Sequence, residues 1–374
     1  MPTRWSPAEN IAWQVELPGA GNSSPIVWKD RVFITATTGA KHDTLHVLCY
    51  DRRTGEQLWE TRLFGSTAPP LFTMFPPARG NAVPTPCTDG RRVVALFGTG
   101  DLVCLDLDGR PMWLRSLSKQ YGDFTNEYGV AASPVLAHGT VVVQVDQAGN
   151  SYLLAVDANT GRNRWKTPRG AADNWASPVL ATIGGQRQVI CSGTHRVTGY
   201  DPDDGQELWR VEGMGRLCTP TPLADEKTLI VSSAPGGASM ALRFPDKSNG
   251  ALQPTLSWRD SRGAAFIPTG VRVDDLFFLV SDRGIGTCFD SQTGQLKWQK
   301  RIGGTFRASL VAAGGNVYFT SLEGVTTVIS VSPEFEELSR NELGQQVVAT
   351  PAVSQGALFV RTEHRLLSIA GKGP

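Results

Sequence analysis

A short pattern, Asp-x-x-Thr-Gly-x-x-x-Trp, recurs along this chain and constrains its fold more than any other feature. One complete copy runs from Asp157 to Trp165. Other copies, one with an aspartate in place of the threonine and one shortened by a residue, begin at Asp51, Asp106, Asp201 and Asp290. A period of roughly 40 to 50 residues is typical of architectures built from repeated supersecondary units.

Each copy of the pattern predicts a β-hairpin. An apolar run such as residues 152–156 precedes the aspartate, and a second short strand follows the glycine. The glycine can adopt the positive φ that a tight turn requires, and the Asp and Thr side chains can hydrogen-bond the turn backbone. The tryptophan then projects from the outer strand. Because one hairpin cannot bury an indole alone, we expect each tryptophan to pack against a neighbouring sheet.

A second recurring signal precedes each hairpin and marks the first strand of a four-stranded unit. It usually contains a proline, which is tolerated at the first residue of a strand. These starts lie near residues 23, 82, 131, 176, 219, 267, 307 and 349. The seventh unit has Leu338 near the place of the tryptophan, and the eighth unit has only three strands before the chain ends.

The N-terminal residues 10–17 have the pattern of the missing outer strand and include Trp13. We therefore predict an all-β chain, with residues 1–374 forming a single domain. This domain is an eight-bladed β-propeller of four-stranded blades, closed by the N-terminal strand, which removes exposed sheet edges. The tryptophans predicted to dock between blades are Trp13, Trp59, Trp113, Trp165, Trp209, Trp258 and Trp298.

Composition excludes several other classes of protein. The formal net charge of +1 argues against binding to nucleic acid or to anionic membranes through bulk electrostatics. No apolar stretch approaches the ~20 residues needed to span a bilayer, and no signal peptide is visible after Met1. The six cysteines show no metal-binding spacing and are predicted to be free, buried thiols.

The segment Ala155-Val156-Asp157…Gly161…Trp165 resembles the repeat of the PQQ-like β-propeller family, A-x-D-x-x-T-G-x-x-x-W, and the resemblance covers nearly the whole chain. This family includes quinoprotein alcohol dehydrogenases and BamB-like outer-membrane assembly lipoproteins. Both groups are eight-bladed and exported, so the resemblance implies a periplasmic or exported protein. The adjacent cysteines and the acidic calcium ligands of the quinoproteins have no match here, so no cofactor and no metal are predicted.

Propeller geometry assigns the loops to two faces. The short turns between first and second strands should share one face with the Asp-x-x-Thr-Gly turns. The connections between blades and the middle turns should share the other face, where lengths vary and binding sites are common. Two long connections stand out there, residues 64–82 with an apolar Pro/Phe segment, and residues 117–132 with Asp123 and Glu127. The Pro/Phe segment can serve either as a docking surface or as a local plug.

Polar residues that enter the innermost strands should approach the channel axis. If they converge, they would form a pocket for an anionic or sugar-like ligand. The predicted ligand-binding residues are Asn22, Arg79, Asn81, Asp146, Asn174, Trp175, Arg216 and Arg307. The alternative is a solvated channel mouth that holds no ligand. No catalytic residue is predicted, because neither a Ser/His/Asp arrangement nor a phosphate loop is visible.

Two functional hypotheses follow. The favoured one is a non-catalytic binding or scaffold propeller of the cell envelope that holds another protein on its variable face. The other is an enzyme or binding protein for a carbohydrate or another polar small molecule at the channel mouth. The apolar Pro/Phe segment favours the first hypothesis, and the ring of Arg, Asn and Asp residues favours the second.

Overall fold

The computed structural model describes residues 1–67, 80–170, 172–234, 236–245 and 252–371. Its strands form eight four-stranded antiparallel sheets, which are the blades of a ring. The prediction of an eight-bladed β-propeller is therefore confirmed. One short helix, α1 (Leu117–Tyr121), follows the second blade. Within the described ranges, no helix is long and apolar enough to cross a membrane.

The first strand of each blade lies innermost, and the later strands follow outward in order. The chain begins with β1 (Ile11–Glu16), and blade 1 follows with β2 (Ile26–Trp28), β3 (Arg31–Thr38), β4 (Thr44–Asp51) and β5 (Gln57–Phe64). Blade 2 consists of β6 (Cys87–Thr88), β7 (Arg92–Leu96), β8 (Asp101–Asp106) and β9 (Pro111–Ser116). Blade 3 consists of β10 (Val135–Ala137), β11 (Thr140–Val145), β12 (Tyr152–Asp157) and β13 (Asn163–Pro168). Blade 4 consists of β14 (Val179–Ile183), β15 (Gln186–Gly193), β16 (Arg196–Tyr200) and β17 (Glu207–Glu212).

The second half of the chain repeats this arrangement. Blade 5 consists of β18 (Leu223–Ala224), β19 (Thr228–Ser232), β20 (Ser239–Arg243) and β21 (Thr255–Asp260). Blade 6 consists of β22 (Val271–Val273), β23 (Leu276–Val280), β24 (Ile285–Asp290) and β25 (Leu296–Arg301). Blade 7 consists of β26 (Val311–Ala313), β27 (Asn316–Thr320), β28 (Val325–Ser330) and β29 (Glu337–Glu342). Blade 8 begins with β30 (Ala352–Ser354), β31 (Ala357–Arg361) and β32 (Arg365–Ala370).

The N-terminal strand completes blade 8, as predicted. Strand β1 pairs antiparallel with β32, with Trp13 opposite Ser368. The Trp13 indole Nε1 donates a hydrogen bond to the Arg52 carbonyl of blade 1 at 2.9 Å. The ring is thus closed by backbone pairing within blade 8 and by an indole contact to the next blade.

Five of the recurring tryptophans join one blade to the next through the turn that carries the repeat glycine. Trp209 instead donates to the Gln188 side chain of its own blade and packs against Phe244 of blade 5, and Trp298 packs against Phe335 of blade 7. In blade 2, the Trp113 Nε1 donates to the Ala158 carbonyl at 2.9 Å, one residue after the repeat aspartate of blade 3. A Cβ atom added to Gly161 of that turn would lie 2.7 Å from the Trp113 ring. The glycine is therefore required both for its φ of 68° and for the close approach of the indole. The indoles that make the same carbonyl contact in other blades belong to Trp13, Trp59, Trp165 and Trp258.

The aspartate of each turn holds the backbone that the indole contacts. The Asp157 carboxylate accepts hydrogen bonds from the backbone N–H of Asn159 and of Thr160, both at 3.0 Å. The Asp51 and Asp290 turns repeat this arrangement. A small residue in the third strand of the same blade lies opposite each docked tryptophan, which explains the recurrence of cysteine there. These pairs include Cys49 with Trp59, Cys104 with Trp113 and Cys288 with Trp298.

The six cysteines are free thiols, and five of them are buried while Cys87 is half-buried. Burial raises the pKa of Cys49, Cys104 and Cys288 to about 12, so these side chains stay protonated at neutral pH. The prediction of free thiols is confirmed, and three of them, Cys49, Cys104 and Cys288, are the small residues opposite an indole.

Blade 7 lacks its own tryptophan, and the N-terminal segment supplies one. The register places Ser339 opposite Val328, where other blades have the indole, and Leu338 is its neighbour in sequence, near that position as predicted. Trp5 is buried and stacks on Tyr318 with ring centroids 6.4 Å apart. Its backbone N–H donates to the Asn341 side chain at 2.9 Å. The N-terminal residues therefore complete two neighbouring blades, 7 and 8.

A pair of glycine substitutions separates the two requirements at the repeat turn. Gly161→Ala and Gly356→Ala both place a side chain at positive φ, which costs roughly 1–2 kcal/mol. A Cβ at Gly356 would meet no atom within 4 Å, whereas one at Gly161 would press into Trp113. We expect Gly161→Ala to lower the free energy of unfolding by about 1–3 kcal/mol more than Gly356→Ala. Urea unfolding measures this difference. Equal losses of unfolding free energy in the two variants would contradict the conclusion that Gly161 is needed for the close approach of the Trp113 indole.

Candidate functional site

The two faces of the propeller are arranged as predicted. The turns between first and second strands hydrogen-bond the repeat turns, as in the bond of 2.9 Å from the Ala158 N–H to the Gly139 carbonyl. These short turns form one side, which we call the turn face. The other side carries the blade-to-blade connections and the middle turns, and we call it the loop face. The longest irregular connection described on the loop face runs from the end of α1 to β10, residues 122–134.

This connection alternates buried anchors with exposed side chains. Phe124, Asn126 and Val130 are buried, whereas Asp123 and Glu127 are exposed. The Asn126 amide donates to the Asp146 carbonyl in the middle turn of blade 3. An irregular segment anchored at three points by buried side chains has far fewer accessible conformations than a free loop of the same length.

Gln147 and Asp173 tie this connection to two other loops. The Gln147 side chain accepts a hydrogen bond from the Thr125 N–H at 2.8 Å and donates to the Asp123 carbonyl at 3.2 Å. The Asp173 carboxylate accepts from the Glu127 N–H at 2.8 Å and from the Ala148 N–H at 2.9 Å. Asp173 therefore joins the connections on both sides of blade 3 to the middle turn of that blade.

A buried ion pair supports this surface from below. Asp146 and Arg169 lie 2.7 Å apart at the closest Nε–Oδ1 contact, and their side chains are only 1% and 2% exposed. Arg169 also donates to the Tyr200 hydroxyl at 2.9 Å. Burial alone would lower the pKa of Arg169, but the Asp146 carboxylate outweighs that effect and raises it. Asp146, predicted as a ligand-binding residue, is thus placed in the core beneath the loops.

Asn174 and Trp175 also lie within this loop cluster. Both are buried, and the Asn174 side chain accepts from the Ala176 N–H at 3.0 Å. The Trp175 Nε1 donates to the Gly129 carbonyl at 2.9 Å, and its ring lies 5.3 Å from that of Tyr128. A hydrogen bond to the Glu127 carboxylate raises the pKa of Tyr128. The structure brings Asp146, Asn174 and Trp175 together, in a supporting layer beneath the exposed surface.

The other predicted ligand-binding residues are distributed around the loop face. Asn81 is buried and donates from its side chain to the His42 carbonyl at 2.9 Å. Arg307 lies 3.4 Å from Asp282 of blade 6. Asn22 is half-buried and lines a small cavity between blades 8 and 1, whereas Arg216 is exposed and close enough to Tyr128 to affect its pKa. Arg79 and residues 69–77 lie outside the described residues. A single pocket shared by all eight residues stays a prediction.

Sequence reasoning missed a set of Ser and Thr hydroxyls at the blade starts. At seven of the junctions between blades, the backbone N–H at the start of one blade donates to a hydroxyl at the start of the next, at 2.9–3.0 Å. The last of these bonds, from Thr350 to Ser24, closes the circle between blades 8 and 1. The signal was present in the sequence, since a Ser or Thr stands next to the proline at most starts. The hydroxyls engaged are those of Ser24, Thr85, Ser133, Ser177, Thr269, Ser309 and Thr350.

The family model described as "Outer membrane protein assembly factor BamB" matches residues 7–174 and 149–332, which is most of the chain. The chain belongs to this family. The matched ranges end within blade 7, and the structure shows that the remaining strands, β29 to β32, continue the same propeller.

Individual relatives agree with this assignment. The BamB protein of Burkholderia pseudomallei (strain K96243) is 29% identical over 201 residues, which is 53% of this chain and 46% of that protein. This BamB-family chain therefore matches about half the length of that curated relative. The crystal structure of BamB from Moraxella catarrhalis superimposes with a TM-score of 0.73 at 15% identity, covering 97% of this chain and 98% of that one.

A dehydrogenase of the wider fold group is also similar. The structure of a europium-containing methanol dehydrogenase superimposes with a TM-score of 0.66 at 12% identity, covering 94% of this chain and 84% of that enzyme. Both structural likenesses concern the fold alone, because the identities are so low.

Proposed function

We propose that this chain is a non-catalytic binding propeller of the cell envelope that holds another protein on its loop face. The observation that carries the proposal is the joining of three loops by the Asp173 carboxylate and the Gln147 amide. A surface fixed in this way loses little conformational entropy when a partner docks, so more of the contact energy appears as affinity.

The chemistry of the surface also suits a protein partner. Asp123, Thr125 and Glu127 are exposed on the connection, and Ala148 and Asn150 are exposed on the neighbouring middle turn. Together they form a polar rim with two acidic groups, above a layer of buried aromatic and aliphatic side chains. Such a surface fits a partner segment that carries Lys or Arg residues, since charge complementarity steers association and sets its specificity.

The contacts of the other polar residues favour the binding of a protein over the binding or conversion of a small molecule. Asn81 is engaged with a loop carbonyl, Asp146 with Arg169, and Arg307 with Asp282. Groups that are occupied by local partners contribute less to a ligand pocket than groups left free. The relatives are named outer membrane protein assembly factors, and we propose that the partner belongs to that assembly process.

Charge reversal on one face at a time tests this function. The variant Asp123→Arg/Glu127→Arg replaces two exposed acidic residues of the loop face by arginine. The variant Glu56→Arg/Glu334→Arg makes the same change in net charge at two exposed acidic residues of the turn face. In the source organism with its own gene deleted, we expect the turn-face variant to restore wild-type levels of folded outer-membrane proteins. We expect the loop-face variant to restore them only in part. Equal restoration by two equally stable variants would contradict the assignment to the loop face.

A further inference from the structure

A second buried arginine lies at the seam where the ring closes, and it differs from Arg169 in its surroundings. Arg361 ends β31 and is 1% exposed. Its Nη1 donates to the Ser23 hydroxyl and to the Thr35 carbonyl, both at 2.8 Å, and to the Ser23 carbonyl at 3.1 Å. These acceptors are neutral and belong to blade 1, so Arg361 bridges blades 8 and 1.

The positive charge of Arg361 has no counter-ion among the described residues. No carboxylate lies within ion-pair distance, and neither Nε nor Nη2 has a hydrogen-bond acceptor there. The Glu363 Oε1 lies 3.3 Å from the His364 Nε2. A buried charge without partner or solvation costs several kcal/mol, so natural proteins pair such groups or bind an ion beside them.

A small cavity adjoins the guanidinium. Its volume is about 10 Å³, which is space for about one species of the size of a water molecule. Gly21 contributes to this space, because a Cβ atom there would lie 2.6 Å from the Arg361 Nη2. Together with Arg361, the cavity is lined by Gly21, Asn22, Gln346, Ala349, Thr362 and Glu363.

The charge at this position is not needed for the contact between blades. Arg361 occupies the same position in the second strand of blade 8 that Gln144 occupies in the second strand of blade 3. The Gln144 side chain donates to the Ser192 carbonyl of blade 4 at 2.9 Å. A neutral amide thus makes the same blade-to-blade bond that Arg361 makes to Thr35. The residues at this level in the other blades are also uncharged, namely Thr35, Leu96, Ser192, Ser232, Val280 and Thr320.

We propose that the cavity beside Arg361 binds a monatomic anion, chloride. The free Nε–H and Nη2–H groups supply charge-assisted hydrogen bonds, and the ion neutralises the guanidinium at the closing seam. Burial lowers the pKa of Arg361 to about 9, against an opposing contribution from Tyr50, which agrees with a charge that lacks protein compensation.

Thermal unfolding at constant ionic strength tests this site. When sodium chloride replaces sodium gluconate, we expect the melting temperature of the wild-type protein to rise by roughly 2–4 °C. Arg361→Gln should remove this dependence, because its amide keeps the bond to blade 1 and carries no charge. Gln144→Met is the matched control, which should melt lower but keep the dependence. The proposal is overturned if the melting temperature of the wild-type protein does not change with chloride. It is also overturned if the melting temperature of Arg361→Gln rises with chloride as much as that of the wild-type protein.

Crystallography of the wild-type protein tests the site even if the Arg361 variant fails to fold. In crystals grown with sodium bromide, we expect an anomalous peak within hydrogen-bond distance of the Arg361 Nε and Nη2. A water molecule in that place, with no anomalous signal, overturns the proposal. Neither experiment depends on the proposed protein partner.

Discussion

Removal of the strand Ile11–Glu16 is expected to make the protein aggregate. The deletion leaves β32 without its neighbour and exposes the backbone groups that β1 satisfies along the ladder from Glu16 to Ile11. It also removes the Trp13 indole that joins blade 8 to Arg52 of blade 1. An unprotected edge strand is a template for pairing with other chains, so loss of closure affects solubility as well as stability.

Size-exclusion chromatography and thermal unfolding measure this effect. The matched control is a circular permutant in which the same N-terminal segment follows β32 through a short hairpin linker. The backbone geometry allows this connection, because the Ala370 N–H already donates to the Asn10 carbonyl at 3.0 Å. We expect the permutant to remain a monomer. A deletion variant that elutes as a monomer with an unchanged melting temperature would contradict closure by the N-terminal strand.

Asp146→Ala is expected to lower the free energy of unfolding by about 3–5 kcal/mol, because it leaves the Arg169 charge buried without a partner. Both side chains are almost completely buried, so water cannot replace the lost carboxylate. The Gln144 amide, which donates to the same carboxylate at 2.7 Å, loses an acceptor as well. The substitution should also loosen the loop face, since Asn126 is anchored on the backbone of residue 146.

A double-mutant cycle separates this effect from simple loss of packing. Asp146→Ala combined with Arg169→Met removes both charges and keeps an apolar side chain in the arginine's place. We expect the double variant to be clearly more stable than the sum of the two single losses predicts, because no uncompensated charge remains. Urea unfolding of the four proteins provides the coupling energy. Additive losses would show that the two charges do not interact in the folded protein.

The repeat determined how much of the fold could be predicted. The Asp-x-x-Thr-Gly turn and its tryptophan occur in a fixed register, so together with the eight recurring strand starts they predicted the number of blades and the closure by Trp13. Trp5 could not be placed in this way, because it fills blade 7 from a segment outside the repeat. The Ser and Thr hydroxyls of the blade starts were visible but were interpreted only through their neighbouring prolines.

The candidate site was less predictable because it is built from irregular loops. The sequence indicated Asn174 and Trp175 near the axis and Asp146 on a middle turn, and the structure places all three beneath the loops. Asp173, which joins three loops, gave no signal because its partners are the backbone N–H groups of Glu127 and Ala148. A hydrogen bond to a backbone N–H depends on the path of the chain and not on the type of residue that carries the N–H, so no sequence pattern indicates it.

Site-specific photo-cross-linking in the source organism tests the central claim, that the loop face holds a protein partner, most directly. A photoreactive amino acid is introduced at Thr125 on the loop face or at Asn159 on the turn face, both of which are exposed. We predict that the Thr125 position forms one dominant adduct with a protein of the outer-membrane assembly process, and that the Asn159 position does not form that adduct. The same adduct from both positions, or from Asn159 alone, would contradict the account.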